Sequence, residues 1–162
     1  MAAVMRGDQN STTPTYFYCY SLPLAIGSVI NAGNWGRILR TYSQQANSNA
    51  WVLIRELIFE FVRREHFPAK PSRFESLFLC TTEAGLTTFR VNTGRHLDLG
   101  YEVELVDPDA PIHLGDWGAV SVQPAANMQT YEACAQAYWQ GTDVVKPELV
   151  TTSPIRIVRI LS

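Results

Sequence analysis

Two hydrophobic periods coexist in this 162-residue chain, and together they restrict the folds open to it. Over residues 50–65, Trp51, Ile54, Ile58 and Phe61 recur at three- and four-residue spacing, the repeat of an α-helix. Residues 101–106 instead alternate apolar with acidic side chains, Tyr101-Glu102-Val103-Glu104-Leu105-Val106, the repeat of a half-buried strand. A chain with both periods packs helices against a sheet.

The segments between them carry matching start and stop signals. The aromatic run 16–20 and the apolar stretch 22–30 predict a first strand that ends at the turn Asn31-Ala32-Gly33-Asn34. A short helix begins near Trp35, and the polar residues 42–49 read as a loop or a helix end. The helix over 50–65 has Ser48 or Asn49 as its cap, a Glu60–Arg64 pair on its surface and a stop at Phe67-Pro68. Residues 74–80 predict a second strand, followed by Thr81 or Thr82 capping a short helix from Glu83. Asp107-Pro108-Asp109 stops the strand at 101–106. Tyr131, Cys134, Ala135 and Tyr138 share a helical face closed by Gly141, and residues 155–161 predict a last strand. Strand, helix, strand, short helix, strand, helix, strand is the order of an α+β sheet with flanking helices.

Hydrophobic residues make up 46% of the chain and charged residues 17%, a globular composition. Residues 15–162 read as one domain, large enough to bury about 70% of its unfolded surface, behind a flexible N-terminal segment 1–14. That segment is too polar for a signal-peptide core. No apolar run approaches the ~20 residues of a membrane span, because Arg55, Glu56 and Glu60 interrupt the stretch 51–62, so no membrane partner is expected. Three widely spaced cysteines, Cys19, Cys80 and Cys134, read as core residues in a reducing, cytoplasmic setting. Export by a route that reads no N-terminal signal stays open. A formal net charge of −2 supplies no global attraction to nucleic acid.

Neither glycine-rich phosphate-loop pattern occurs, and His66, His96, His113 and the cysteines lack metal-ligand spacing, so no metal is expected. Cys80 with His96 or His113 could form a nucleophile pair in space, but free cysteines are usually buried and inert. Glu102 and Glu104 share a strand face and could act as paired carboxylates, although a solvated face produces the same alternation. Taken alone, Glu148 reads as an exposed loop acid after Pro147.

An ordered set of blocks adds to this reading: Tyr16-Phe17-Tyr18 with residues 23–30, then 76–81, 101–108 and 153–158. Together with residues 137–141 and Glu148-Leu149-Val150, the set resembles small bacterial ADP-ribosyltransferases of the rifamycin-modifying and toxin or defence types. The resemblance implies an ADP-ribosyltransferase-like split β-sheet with flanking helices, and NAD as a substrate. It assigns to Glu148 the carboxylate that stabilises the oxocarbenium-like charge developing as nicotinamide leaves the ribose. Tyr18 stands where related enzymes carry a histidine or arginine on the first strand, and is the second catalytic candidate. Phe78 and Tyr101 are the expected aromatic contacts of nicotinamide, with Ser76 also at the NAD site. A tyrosine cannot supply charge to a diphosphate, so Arg73 or Arg37 must, with Arg73 preferred.

The implied activity is transfer of ADP-ribose to an unidentified acceptor, which is a protein, a nucleic acid or a small molecule. A toxin or defence role would bring a neutralising antitoxin or immunity protein as partner. An NAD glycohydrolase on the same fold and a non-catalytic binding module are the alternatives.

Overall fold

The computed structural model describes residues 14–43, 49–121 and 125–161. Residues 1–13 of the expected flexible segment and the alternative cap Ser48 lie outside them. The strands are β1 (Thr15–Tyr20), β2 (Val29–Ile30), β3 (Leu77–Cys80), β4 (Leu99–Leu105), β5 (Ile112–Asp116), β6 (Pro147–Thr151) and β7 (Ile155–Ile160). The helices are α1 (Asn34–Arg40), α2 (Ala50–His66), α3 (Glu83–Asn92), α4 (Trp117–Val120) and α5 (Met128–Gln140), with a 3₁₀ turn over Arg73–Glu75.

Among the described residues the seven strands form one antiparallel sheet in the order β2-β7-β4-β1-β3-β6-β5. Its two halves are joined weakly. β1 pairs with β4 along its whole length, from Thr15–Glu104 to Tyr20–Leu99, whereas β1 and β3 share the single pair Phe17–Cys80. A seam therefore runs between β2-β7-β4-β1 on one side and β3-β6-β5 on the other.

Strand alternation assigns the two faces of the sheet. Leu77, Leu79, Tyr101, Val103, Leu149, Ile155 and Ile157 form the core on one face, where Tyr16, Tyr18, Tyr20, Leu24 and Ile30 pack against them. On the other face, Val150 and Phe78 pack with Phe59 and Val62 of α2 and with Ala135, Tyr138 and Trp139 of α5. Trp139 Nε1 donates to the Phe59 carbonyl at 2.8 Å, which locks the two helices together.

Local signals place the helix ends. Asn49 caps α2 by accepting from Trp51 N at 3.0 Å, and Thr82 caps α3 by accepting from Gly85 N at 3.0 Å. Gly141 ends α5 at φ 71°, a left-handed conformation that glycine adopts without strain. The Glu60 ion pair differs from expectation: its partner is Arg63, one turn away at i+3, at 2.7 Å.

Three larger expectations are corrected. The first strand ends at Tyr20, and of the apolar stretch behind it only Val29–Ile30 is strand, paired with β7. Two strands, β5 and β6, were not expected, so Glu148 lies on a strand and is 7% exposed instead of sitting on an open loop. The periodic stripe that identifies α2 is also not the face it buries. Trp51 and Phe61 are 52% and 61% exposed, while Arg55, Glu56, Phe59 and Val62 point inward.

Candidate functional site

A cleft of about 670 Å³ opens at the seam, within the usual range for small-molecule sites. β1 lines it from one side and β3 from the other, with α1, α2, α3 and α4 around its rim. Phe17, Trp35, Phe78, Phe89 and Trp117 supply aromatic surface, and Arg55, Arg73, Arg95, Glu56 and Glu148 supply charge.

Arg73 is the centre of the charged group. The loop that carries it is tied to α2: Arg63 Nη1 donates to the Pro68 and Lys70 carbonyls at 3.3 and 2.9 Å, and Ser72 Oγ donates to Glu60 at 2.9 Å. Ser72 also caps the 3₁₀ turn by accepting from Phe74 N, and Ser76 Oγ closes it by donating to the Ser72 carbonyl at 2.6 Å. The turn aims the Arg73 guanidinium inward, 4.5 Å from the Phe78 ring centre and 5.1 Å from that of Tyr138. There it donates to Glu56 at 2.9 and 3.3 Å, to the Tyr138 hydroxyl at 2.6 Å and to Glu148 Oε1 at 2.6 Å. Four of its roughly five N–H groups are thereby used. Burial would lower its proton affinity, but Glu56, Tyr138 and Glu148 outweigh that and hold it well above the usual arginine range.

The two carboxylates are held differently. Glu56 is 1% exposed, and although burial alone would raise it, Arg73 and Arg55 keep its carboxyl below the ordinary value. Glu148 lies opposite Cys80 on β3 and Gly115 on β5. The Tyr138 hydroxyl donates to its Oε1 at 2.6 Å, the same oxygen that accepts from Arg73. One oxygen is thus fixed from two sides, which leaves Oε2 as the edge presented to the cleft. Burial first, and Glu148 beyond it, push the Tyr138 hydroxyl well above its usual range, so it donates as a neutral group.

Of the residues expected from sequence, Tyr18, Arg73, Ser76, Phe78 and Glu148 all border this cleft. Their roles within it are less uniform. Tyr18 belongs to the opposite face of the sheet, stacked on Tyr20 at 6.3 Å, and burial pushes its hydroxyl up to about 12, so it is no base at neutral pH. The Ser76 hydroxyl is spent on the turn that positions Arg73. Arg73 has its donors engaged by protein carboxylates, which leaves little for a diphosphate. Arg37 is exposed on α1, where it donates to Asn34 at 3.3 Å.

Tyr101 falls outside the cleft, contrary to expectation. It is 0% exposed, and its hydroxyl donates to the Leu22 carbonyl at 3.1 Å and accepts from Leu24 N at 3.0 Å, pinning the loop over the far face. Glu102 and Glu104 pair across the sheet with Arg159 and Arg156 at 2.6 and 2.8 Å, the arrangement of a solvated strand face. Burial pushes the Cys80 thiol up to about 12, which removes it as a thiolate nucleophile. Among the described residues no group of three or more histidine, cysteine, aspartate and glutamate side chains is arranged to hold a metal ion, and no helix is long and apolar enough to cross a membrane.

Sequence reasoning missed Arg55, Glu56 and Tyr138 as members of the site. Adjacent charges inside the otherwise apolar stretch 51–62 were the available signal for the first two.

Residues 26–162 match a family profile described as "Protein of unknown function (DUF2441)". The chain belongs to that family. The matched stretch contains Arg55, Glu56, Arg73, Tyr138 and Glu148 and begins after β1, so the whole buried charge network lies inside it while Tyr18 lies outside. No curated protein matches the chain.

Proposed function

We propose that this protein is an NAD-dependent ADP-ribosyltransferase that moves ADP-ribose from NAD to a separate acceptor. The observation that carries the reading is Glu148, a buried carboxylate with one oxygen clamped by Arg73 and Tyr138 and its other edge at an aromatic-lined cleft. The sheet supports it as well, because two halves joined by a single pair, with a cleft at the seam, fit an ADP-ribosyltransferase-like split sheet.

The lining suits NAD by the chemistry of its donors and surfaces. Aromatic rings at Trp35, Phe78 and Trp117 offer faces to planar rings, arginines offer donors to phosphate oxygens, and Glu148 offers negative charge. NAD supplies an ADP-ribosyl group whose nicotinamide departs as a neutral molecule with the electron pair of the broken carbon–nitrogen bond. Glu148 stabilises the positive charge that develops on the ribose during that departure, and its clamp removes the need to reorganise at that moment. The acceptor's nucleophile forms the new bond at the same carbon and gives up its proton to solvent. Phe78, braced by the Arg73 guanidinium on one side, keeps a fixed aromatic surface at the cleft.

The test is nicotinamide release from NAD by the protein and by Glu148→Gln, with and without a lysate that contains protein and RNA. Release that rises with lysate and falls about a hundredfold or more in Glu148→Gln is the expected result. Release that depends on Glu148 but ignores every acceptor identifies a glycohydrolase. No release, or release unchanged by the substitution, overturns the reading and leaves the cleft as a binding site.

A further inference from the structure

The periodic stripe of α2 lies open to solvent. Trp51, Ile54, Leu57 and Phe61 are between 39% and 61% exposed, and Ile58 among them is shared with the core beneath. Met128, exposed at the start of α5, extends the patch beside Trp51, whose ring tilts against Tyr131, one turn along α5, at 6.5 Å. Single apolar residues scattered over a surface are ordinary, whereas a continuous apolar row along one helix marks an interaction surface.

The spacing indicates the shape that covers it. Trp51, Ile54, Ile58 and Phe61 alternate three- and four-residue steps, the seam of a coiled coil, so the fitting surface is a second helix lying nearly along the first. The ends of the stripe indicate which helix. Arg64 and Glu65 follow Phe61, both exposed, and neither side chain has a hydrogen-bond or ion-pair partner among the described residues. At the other end, the first turn of α2 carries no acidic residue to offset its positive dipole end.

A second α2 laid antiparallel, with a two-fold axis between Leu57 and Ile58, answers each of these features. Phe61 of one copy meets Ile54 of the other, Arg64 comes over the Trp51 ring, and Glu65 reaches the N-terminal turn that lacks an acid. A parallel copy would instead set Arg64 against Arg64 and join like ends of the two dipoles. The area agrees: at these exposures the four side chains leave about 400 Å² of apolar surface open per copy. Homodimer interfaces are roughly 65% apolar, so a patch of this size belongs to an interface of about 1,200 Å² in total, the lower end of the range for stable, specific complexes.

We propose that the outer face of α2 is a homodimer interface, in which two copies of this chain pair their α2 helices antiparallel about a two-fold axis. The proposal does not rest on the ADP-ribosyltransferase reading, because Arg55 and Glu56, which line the cleft, lie on the inward side of the same helix.

The test is sedimentation velocity of the full chain over a series from about 1 to 200 µM, alongside Leu57→Glu, Phe61→Ser, Arg64→Ala and Leu97→Glu. Leu57→Glu sets two like charges beside the axis. Leu97, exposed on the loop before β4, controls for the loss of a surface leucine. Thermal melts check that each variant is folded. All four side chains are already open to solvent, so the fold should survive, and Phe61→Ser carries the comparison if Leu57→Glu melts early.

The expected result is a wild-type dimer that Leu57→Glu and Phe61→Ser weaken about a hundredfold or disperse, that Arg64→Ala weakens roughly tenfold, and that Leu97→Glu leaves intact. A wild-type protein that sediments as a single copy at every concentration, or a dimer as tight in folded Leu57→Glu and Phe61→Ser as in wild type, overturns the proposal. A dimer that these two disperse while Arg64→Ala leaves it unchanged keeps the stripe as the interface and overturns the antiparallel placement.

Discussion

Arg73 Nη1 lies 2.6 Å from Glu148 Oε1, a contact that joins positions 75 residues apart, and both side chains are more than nine-tenths buried. A buried pair of this kind adds little to stability when complete but is costly to halve, because the survivor stays in the interior as an unpaired charge. Here the arginine answers to two carboxylates, so its loss leaves Glu148 with no cation and only the Tyr138 hydroxyl, and Glu56 with Arg55 alone.

Arg73→Met is therefore expected to lower unfolding free energy by about 3–5 kcal/mol. Glu148→Gln should cost far less, since its amide oxygen can still accept from Arg73 and Tyr138. Urea denaturation of the two variants checks the order. A methionine variant within about 1 kcal/mol of wild type would show that the network does not hold the site together.

His113 predicts a pH dependence of stability. Burial pushes its imidazole down from 6.5 to about 4, helped by the nearby positive charges of Lys70 and Arg73 and opposed by the Tyr138 carbonyl, to which Nε2 donates at 2.8 Å. Lys70 Nζ donates to Nδ1 at 3.1 Å, so protonation would set two positive charges together. Because the folded state resists the proton that the unfolded chain accepts, the stabilisation is complete above pH 6.5 and is lost as the pH falls toward 4. The loss is on the order of 2–3 kcal/mol across that window. His113→Gln should flatten the fall, measured as the difference between the two stability–pH curves; parallel curves would contradict the assignment.

Gly115 sits beside Glu148 in the sheet and makes room for Tyr138. A Cβ at 115 would lie 2.5 Å from Tyr138 Cε2, so the ring that reaches Glu148 would have to move. Gly115→Ala should cost about 1–3 kcal/mol in stability and also reduce nicotinamide release, because the clamp on Glu148 Oε1 loses its tyrosine. An alanine variant with full activity would mean that the Tyr138 hydroxyl is not needed there.

The parts of the fold that were legible in the sequence are those governed by near neighbours. Asn49, Thr82 and Gly141 mark helix ends because a cap bonds within its own turn. The alternation through Glu102 and Glu104 marks β4, whose acids do face cross-strand arginines. β5 and β6 were not legible: each is five residues long, and in β5 the alternation is inverted, with Ile112 and Leu114 exposed and His113 buried. α2 was recognised from the wrong stripe, since periodicity identifies a helix without saying which side meets the core.

The candidate site divides in the same way. Glu148 and Arg73 could be named as a carboxylate and a cation of the right kind, yet nothing local indicated that they would bind each other. Tyr101 and Phe78 looked alike as strand aromatics, but one ends as a pinned core residue and the other at the cleft.

By itself the sequence determined the α+β class, the helix limits and the stock of charged and aromatic groups, because these depend on composition and on spacings within a turn or a strand. The tertiary structure alone decided which charges meet. Pairing β3 with β6 puts Glu148 opposite Cys80 and on the same face as Phe78, and packing α2, the 3₁₀ turn and α5 over that face brings Glu56, Arg73 and Tyr138 to it. Proton affinities and free donors in such a place follow from neighbours scattered along the chain and from the exclusion of water around them, and neither is written in local spacing.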